Sequence, residues 1–476
     1  MVRTSTLRVV TLHSRQVTTT VRRPSGVATG LGESRAVGVC IWTAAVGGGA
    51  YLVSQGRGVD AVAAIVVLSA AVFFARSRWL VSLCAMPALL IPVVALPHDT
   101  RLFGVHPPQV VALLTVVLVG VSLAVEQRSR PSLWALAPAL LLAVFGLFGG
   151  SLSSDLGGEW SLVVLWLAAS ALGSIASKDL RYLKALTYLG APVAAFAIFE
   201  CLGLPNYWNR LTGASRFATT FSTFGGLHRA MATFGHPIPA SVVFASLALS
   251  AITLRERRGV PWLAALYAVA CFATLSRTGI VALAAGGAMT VLFPPEPKAR
   301  GRAASVLAVA FIGAVVLATS PLSGSLGQRL NQQTNAGRVA SLAILGHSLS
   351  TNPASLLFGG GFNGAHSYLA SLGGNTATGL PDADIFDDQL VTGIYQYGVV
   401  PLMLVVLLIV AGIATSPAWQ RAVAVPPLVA TAVAFLFFDG LYWHSASFVL
   451  FFFIGMVCGF DKRPGESVSM RLRVRQ

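Results

Sequence analysis

The sequence predicts an all-α, polytopic integral membrane helical bundle, and three observations lead to that fold class. Of the 476 residues, 55% are hydrophobic and only 11% are charged, and the mean hydropathy is +0.74. Apolar runs of about 20 residues, the length that crosses a bilayer as a helix, recur along the chain. The basic residues fall mostly in alternate connecting loops, as in proteins with a fixed orientation in a membrane. Together these features exclude an ordinary soluble domain.

The apolar runs predict about fourteen transmembrane helices between residues 36 and 460. The two shortest are also consistent with a single hairpin or with a partly re-entrant segment. An even number of spans puts both termini on one side. The predicted spans cover residues 36–54, 59–75, 79–96, 107–125, 132–149, 160–177, 184–203, 237–254, 261–275, 278–293, 303–320, 390–414, 420–438 and 445–460.

Twenty-five of the 33 Lys and Arg residues lie in loops on one side, which the positive-inside rule assigns to the cytoplasm. The basic tails 1–35 and 461–476 belong to this side, and we expect 1–35 to be disordered. The sequence thus predicts a multi-pass protein of the cytoplasmic (inner) membrane with both termini cytoplasmic. The other eight basic residues lie outside and are all arginines: Arg57, Arg101, Arg210, Arg216, Arg229, Arg277, Arg329 and Arg338.

The net charge of +16 does not indicate nucleic-acid binding. The positive charges are scattered over short loops, where membrane insertion and anionic lipid headgroups account for them. The five cysteines all fall inside apolar runs without paired spacing, so neither disulfides nor a zinc site is predicted. Residues 1–35 lack a compact apolar run with a cleavage site, and we therefore expect no removable signal peptide.

Two outer loops are long, at about 205–237 and 321–389, and loops of this length in a compact domain are usually functional. Within the second loop, residues 335–350 have apolar side chains at helical spacing. They predict an amphipathic helix at the membrane surface. The glycine-dense stretch 357–363 follows, where the backbone is able to approach a ligand closely.

Arg229 and Arg277 are the strongest candidates for chemistry. Arginine suits a bidentate grip on phosphate or carboxylate. Arg229 precedes the span that starts near Pro237, and it is also consistent with snorkelling at the interface beside a charged partner. Arg277 lies between two apolar runs with no lysine or acid nearby. An arginine in that position is by default a functional-site hypothesis.

His366 is the candidate general base or hydrogen-bond donor, with Asn363 and Tyr368 beside it. A lone histidine near glycines is more often structural, so this interpretation depends on its neighbours. The acidic run that follows lacks the spacing of a known cation loop, and charge balance against the outer arginines is the simpler explanation. Its last two members are equally suited to cap a helix. The run comprises Asp382, Asp384, Asp387 and Asp388.

Four motifs occur in a distinctive order. R-x-x-x-T-F-x-x-P at 229–237 opens a span, and S-R-T-G at 276–279 opens another. N-P-x-x-x-L-F-G-G-G-F-N at 352–363 is followed by A-H-S-Y-L at 365–369. This order resembles the O-antigen ligase and O-antigen polymerase superfamily of bacterial envelope glycosyltransferases. The resemblance covers about residues 190–415.

The resemblance implies transfer or polymerisation of glycan at the extracytoplasmic face. The donor would be an undecaprenyl-pyrophosphate-linked oligosaccharide, and the acceptor a glycan or lipid-glycan. No metal or other cofactor would be needed. Arg229 and Arg277 would grip the pyrophosphate, Arg216 and Arg338 would assist, and His366 would activate the acceptor hydroxyl. Asn363, Tyr368 and Asp388 complete the predicted substrate-binding set.

The chain departs from the family in two ways. Ser367 follows His366 where the family usually has asparagine, and the family more often has about twelve spans. The alternative function is a transporter or flippase for an anionic or lipid-linked substrate, which intramembrane arginines also fit. We find no internal repeat of the kind expected for a transporter. Glu200 is the only acidic residue predicted well inside a span.

Overall fold

The computed structural model describes residues 132–148, 156–178, 180–206, 228–254, 260–293, 344–350, 353–371 and 388–459. Every regular element in these ranges is a helix, which confirms the predicted all-α class. In chain order the helices are α1 (Leu133–Phe148), α2 (Leu156–Ala176), α3 (Arg181–Leu189), α4 (Ala191–Cys201), α5 (Pro237–Thr253), α6 (Val260–Ala273), α7 (Arg277–Leu292), α8 (344–350), α9 (Pro353–Phe358), α10 (Gly364–Ser371), α11 (Gln389–Tyr397), α12 (Val399–Thr415), α13 (Ala418–Phe435) and α14 (His444–Cys458).

Several predicted features lie outside the described residues. They are the tails 1–35 and 461–476, the spans 36–54, 59–75, 79–96, 107–125 and 303–320, the loop portions 207–227, 321–343 and 372–387, and the residues Arg57, Arg101, Arg210, Arg216, Arg329, Arg338, Asp382, Asp384 and Asp387.

Within the described ranges, most predicted spans match a helix to within a few residues. The span predicted at 132–149 is α1, and the span at 237–254 is α5. The two short runs around 261–293 form separate helices, α6 and α7, with a turn at 274–276 between them. Continuous apolar runs are therefore a reliable guide to helix bounds in this chain, because such runs have to bury or shield their backbone along their whole length.

The span predicted at 390–414 is wrong as a single helix, because α11 and α12 are bent by 114° at Gly398. Gly398 has φ 87°, and an added Cβ would lie 2.5 Å from the Cα of Phe358. The break thus requires glycine and admits the backbone of α9 at close range. Hydropathy continues across the break and does not reveal it.

Helix length supports only part of the predicted membrane topology. Among the described residues, one helical stretch, Tyr182–Cys201 across α3 and α4, is long and apolar enough to cross a bilayer by itself. The bent pair α11 and α12 adds a second candidate if it is counted as one span. The other apolar helices that the structure describes, α5 and α7 among them, have 10–17 residues by the same measure. The predicted number of spans stays a prediction.

Small residues let α2 and α14 pack closely. A Cβ at Gly455 would strike the carbonyl of Ser170, and one at Gly173 would strike the carbonyl of Phe452. Close backbone approach at glycine and serine is typical of helix pairs in membranes. Next to this contact, the buried ring of Trp166 lies 5.1 Å from the ring of Phe451. This helix pair forms the centre of the main core.

Short uncharged polar side chains join the helices at one end of the bundle, which we call the serine end. The Ser174 hydroxyl accepts from the Ser132 N–H at 3.0 Å, between the end of α2 and the start of α1. The Ser416 hydroxyl donates to the Val457 carbonyl at 2.6 Å, between α12 and α14. Gln420 donates to the Met456 carbonyl. Helix α14 runs from the opposite end of the bundle to this one.

Candidate functional site

Three short segments meet at the opposite end of the bundle, which we call the arginine end. They are residues 200–206, 228–236 and 274–276. The His228 N–H donates to the Cys201 carbonyl at 3.2 Å, and the Ala230 N–H donates to the Ala273 carbonyl at 3.0 Å. These bonds hold segment 228–236 between the C-terminal ends of α4 and α6, and so bring it beside the start of α7.

Arg229 and Arg277 come together at this junction, although they are far apart in sequence. Arg229 is half-buried, and its Nε donates to the Thr274 carbonyl oxygen at 3.4 Å. Arg277 is exposed at the first position of α7. Burial lowers the pKa of Arg229, and the positive charge of Arg277 lowers it further. The two guanidinium groups are therefore close enough to repel each other.

The arrangement favours an anion at this point. Arg277 lies at the N-terminus of α7, where the helix dipole is already positive, and Ser276 makes no side-chain cap hydrogen bond there. A bound diphosphate would be stabilised by both guanidinium groups and by the helix N-terminus. It would also remove the repulsion between Arg229 and Arg277. The pair thus has the composition and placement of an anion clamp.

Backbone strain accompanies both arginines. Ala232 has φ 50° and Leu275 has φ 49°, and among the described residues these are the two non-glycine positions with positive φ. Each such residue costs about 1 kcal/mol relative to ordinary backbone. Ala232 lies just after Arg229, and Leu275 lies just before Arg277. Strain of this kind persists only where its surroundings enforce it, and it is concentrated at functional sites.

His236 belongs to the same site, and the sequence analysis did not select it. Its Nδ1 accepts the Ile238 N–H at 3.2 Å and so caps α5. Its ring centroid lies 5.1 Å from that of Trp443. Burial, and then the charge of Arg229, lower the pKa of His236 to about 3. His236 is therefore a neutral imidazole whose Nε2–H is a donor. The sequence feature that could have identified His236 is its position immediately before Pro237, where a predicted span begins.

The glycine-rich segment 359–364 packs against the break between α11 and α12. The Gly361 N–H donates to the Gln396 carbonyl at 2.9 Å, and a Cβ at Gly359 would strike that same carbonyl. Gly359 has φ 73° and Gly361 has φ 79°. The sequence predicted that these glycines let the backbone approach a ligand. In the structure they instead approach the chain's own backbone at Gln396.

His366 is exposed near the start of α10, and Asn363 lies half-buried just before that helix. The Asn363 carbonyl accepts the Ser367 N–H at 2.8 Å. The preceding residue, Phe362, is buried, and its carbonyl accepts from the Tyr442 hydroxyl at 2.9 Å. Anchoring at Phe362 therefore fixes the start of α10, the helix that carries the exposed His366.

The connection between α13 and α14 links His366 to the arginine pair. Tyr442 bonds to the Phe362 carbonyl, next to α10, and the neighbouring Trp443 packs on His236, next to Arg229. The structure thus brings Arg229 and Arg277 together directly. His366 lies at the same end of the bundle and is connected to them through this segment. Arg216 and Arg338 lie outside the described residues.

Tyr368 and Asp388 both have structural contacts. The Tyr368 ring stacks on that of Tyr395 at 4.5 Å, and the Ser348 hydroxyl bonds to both tyrosine hydroxyls. The Asp388 Oδ1 accepts the Leu390 N–H at 2.8 Å, which confirms that Asp388 caps α11. A further contact of either side chain with substrate stays a prediction.

Asp439 and His444 are two buried ionisable residues at this end that the sequence analysis missed. Asp439 lies within the connection between α13 and α14, and His444 is the first residue of α14. In the same connection, the Leu441 N–H donates to the Gln389 side-chain oxygen at 2.7 Å. The signal was present in the sequence, since the run 438–444 places polar residues between two apolar spans. The predicted spans 420–438 and 445–460 leave this run as a short loop.

Neither the described residues nor similarity to known sequences identifies a metal site or a family. Among the residues that the structure describes, no three His, Cys, Asp or Glu side chains are grouped to hold a metal ion. No protein-family model matches this chain, and no functionally curated protein matches its sequence.

Proposed function

We propose that this protein is a membrane glycosyltransferase that acts on a lipid-linked glycan at the outer face of the cytoplasmic membrane. The donor is an undecaprenyl-pyrophosphate-linked oligosaccharide, and the acceptor is a glycan or lipid-glycan. The product is part of a cell-surface polysaccharide. The observation that carries this proposal is the paired placement of Arg229 and Arg277 on two strained segments at one end of the bundle.

The pair suits the chemistry of the leaving group. An acceptor hydroxyl oxygen attacks the anomeric carbon of the donor, and the bond from that carbon to the pyrophosphate oxygen breaks. Undecaprenyl pyrophosphate leaves with the electron pair and gains negative charge during this step. Guanidinium groups fixed in advance stabilise that charge without a metal ion. The repulsion between Arg229 and Arg277 is relieved as the charge develops, which favours the transition state.

His366 supplies the remaining step in this proposal. It accepts the proton of the acceptor hydroxyl as the new glycosidic bond forms. Its exposure near the start of α10 suits contact with a large acceptor, whereas the half-buried Arg229 suits contact with the donor. Asn363 lies half-buried just before α10 and is a predicted substrate contact. Arg216 and Arg338 remain proposed helpers of the arginine pair.

Apolar surface supports the membrane part of the proposal. Helix α12 exposes a row of large apolar side chains, and soluble proteins rarely expose such continuous patches. The close glycine and serine contact of α2 with α14 is also typical of membrane helices. The exposed side chains of α12 include Met403, Leu404, Val406, Leu407 and Val410.

A transporter is a weaker alternative. It would use charged groups near the bilayer midplane to carry its substrate across. Glu200 was the one acidic residue predicted well inside a span, and its carboxylate accepts hydrogen bonds from the backbone of segment 228–236. That role ties it to the arginine end rather than to a path through the membrane. Substrate flipping by purified protein in vesicles, without glycan chemistry, would favour the transporter.

The test is an activity assay on purified full-length protein given a defined undecaprenyl-pyrophosphate oligosaccharide. We expect Arg229→Ala, Arg277→Ala and His366→Ala each to lower turnover by about 100-fold or more, because each removes a group that acts on the reacting atoms. Chain growth from the donor alone would indicate a polymerase. Transfer that needs a separate acceptor would indicate a ligase.

Arg421→Ala is the matched control, because Arg421 is a half-buried arginine near the serine end. It should leave turnover near that of the unmodified protein. All variants are compared at equal accumulation in the membrane. Full activity in all three site variants would eliminate the proposal.

A further inference from the structure

Glu200 is a buried carboxylate at the end of α4 that the proposed reaction does not use. It is 4% exposed. Its Oε2 accepts the N–H groups of Met231 at 3.1 Å and Ala232 at 2.7 Å, and its Oε1 accepts the side-chain amide of Asn206 at 2.8 Å. Three donors from two separate segments therefore converge on one side chain. A buried carboxylate is stable only with such partners.

These bonds act on the strained residue of the arginine segment. Ala232 donates its N–H to Glu200, and its carbonyl accepts from the Asn206 amide at 2.8 Å. Both polar groups of the Ala232 backbone are thus held while its φ is 50°. Glu200 and Asn206 together enforce a conformation that an alanine would otherwise leave.

The consequence concerns the direction in which Arg229 projects. Segment 228–236 is held at its start by backbone bonds to Cys201 and Ala273, and at Ala232 by Glu200. Arg229 lies between His228 and Ala230, whose N–H groups make the first two bonds, and Glu200 holds the residues that follow, Met231 and Ala232. The backbone is therefore fixed on both sides of Arg229, whose guanidinium group lies half-buried beside Thr274.

We propose that Glu200 is a positioning residue: its carboxylate holds the backbone at Met231 and Ala232 so that Arg229 faces Arg277 and the two bind one diphosphate. This inference rests on the proposed function, since it assigns the arginine pair to a diphosphate. Glu200 acts through the backbone and touches no substrate. Its two carboxyl oxygens accept from the three donors, and an amide that keeps one oxygen in the same place replaces it in part.

Inorganic pyrophosphate is the probe, and the rise that it causes in the melting temperature of the purified full-length protein is the measurement. We expect Glu200→Ala to require about tenfold more pyrophosphate for the same rise, because Arg229 loses its fixed placement. Glu200→Gln should recover most of the response, since its amide oxygen still accepts from Met231 and Ala232. In an Arg229→Ala background, Glu200→Ala should have no further effect, because both changes remove the same contact.

The control is Ser416→Ala, which removes a buried hydrogen bond to Val457 at the serine end. It should lower the melting temperature without changing the response to pyrophosphate. If Glu200→Ala behaves like this control while Arg229→Ala loses the response, Glu200 is only structural and the inference is wrong, although the proposed function stands.

Two further outcomes are decisive. A full pyrophosphate response in Arg229→Ala would overturn the proposed function itself, whatever Glu200 does. If Glu200→Ala fails to accumulate, Asn206→Ala takes its place, because it removes the Oε1 contact and the bond to the Ala232 carbonyl. A weakened response in Asn206→Ala supports the inference, and an unchanged one rejects it.

Discussion

The two ends of the helical bundle are built from different side chains. At the serine end, short uncharged groups such as Ser174 and Ser416 bond to neighbouring helices. At the arginine end, a buried carboxylate, two neighbouring guanidinium groups and two strained backbone positions lie together. The bonds at the serine end join neighbouring helices and so stabilise the fold. At the arginine end, like charges lie close together and two residues adopt strained backbone, and both features lower stability.

Function in this chain is to be sought where charge and backbone strain coincide. Charge alone is ambiguous, because an arginine near a membrane surface is often only an interfacial anchor. Strain alone is equally ambiguous. The occurrence of both at Arg229 and Arg277, on segments joined by hydrogen bonds, is hard to explain by stability. We therefore expect substitutions in the helix core to affect mainly stability and substitutions at the arginine end to affect mainly activity.

The largest effect on stability is expected at the glycine contact between α2 and α14. Gly455→Ala should destabilise the protein by about 3 kcal/mol, because its Cβ would strike the Ser170 carbonyl and neither backbone is free to move. Gly346→Ala is the matched control, since an added Cβ there meets nothing within 4 Å. Thermal unfolding in detergent measures both. Equal melting temperatures for the two variants would contradict the assignment of this contact as the centre of the core.

Two alanine-to-glycine substitutions should have smaller effects on stability, of opposite sign, and they test the backbone strain at Ala232. Ala232→Gly should leave stability unchanged or raise it by up to about 1 kcal/mol, because glycine adopts positive φ freely. Turnover should fall, since the segment that carries Arg229 becomes less rigid. Ala245→Gly, in the buried middle of α5, should instead lower stability by about 1 kcal/mol. If Ala232→Gly is as destabilising as Ala245→Gly, Ala232 is not under strain.

The smallest effect concerns pH at His236. Its pKa is lowered to about 3 in the folded protein, whereas an unfolded histidine titrates near its ordinary value of 6.5. The unfolded state therefore binds more protons between these values, so this residue's contribution to stability is lost as the pH falls from about 6.5 towards 3. His236→Asn keeps a cap acceptor for α5 and removes the titration. The variant should lose less melting temperature than the unmodified protein between pH 7.5 and pH 5.

The low pKa of His236 also leads to a prediction about activity. His236 is neutral at physiological pH, because its pKa is about 3, and its protonation therefore does not change turnover between pH 6 and pH 8. His236→Asn should leave the pH–rate profile over this range unchanged, and an altered profile in this variant would contradict the assignment.

Much of the fold was predictable because it depends on local hydropathy. The bounds of α1, α5 and α14 follow from apolar runs that end at polar or glycine residues. Part of the site was predictable for a related reason, since an arginine such as Arg277 stands out against an apolar background. The cap at Asp388 was also foreseen, because an aspartate directly before a helix has a well-known role.

The sequence by itself determined the helical class, the bounds of most helices that the structure describes, and the candidacy of Arg229, Arg277 and His366. These depend on residue type and on short-range periodicity. Only the tertiary structure decided that Arg229 lies beside Arg277, that Glu200 holds Ala232, and that the chain breaks at Gly398. Each of these depends on hydrogen bonds or close contacts between residues that are distant in sequence. The local sequence around a residue does not indicate such contacts.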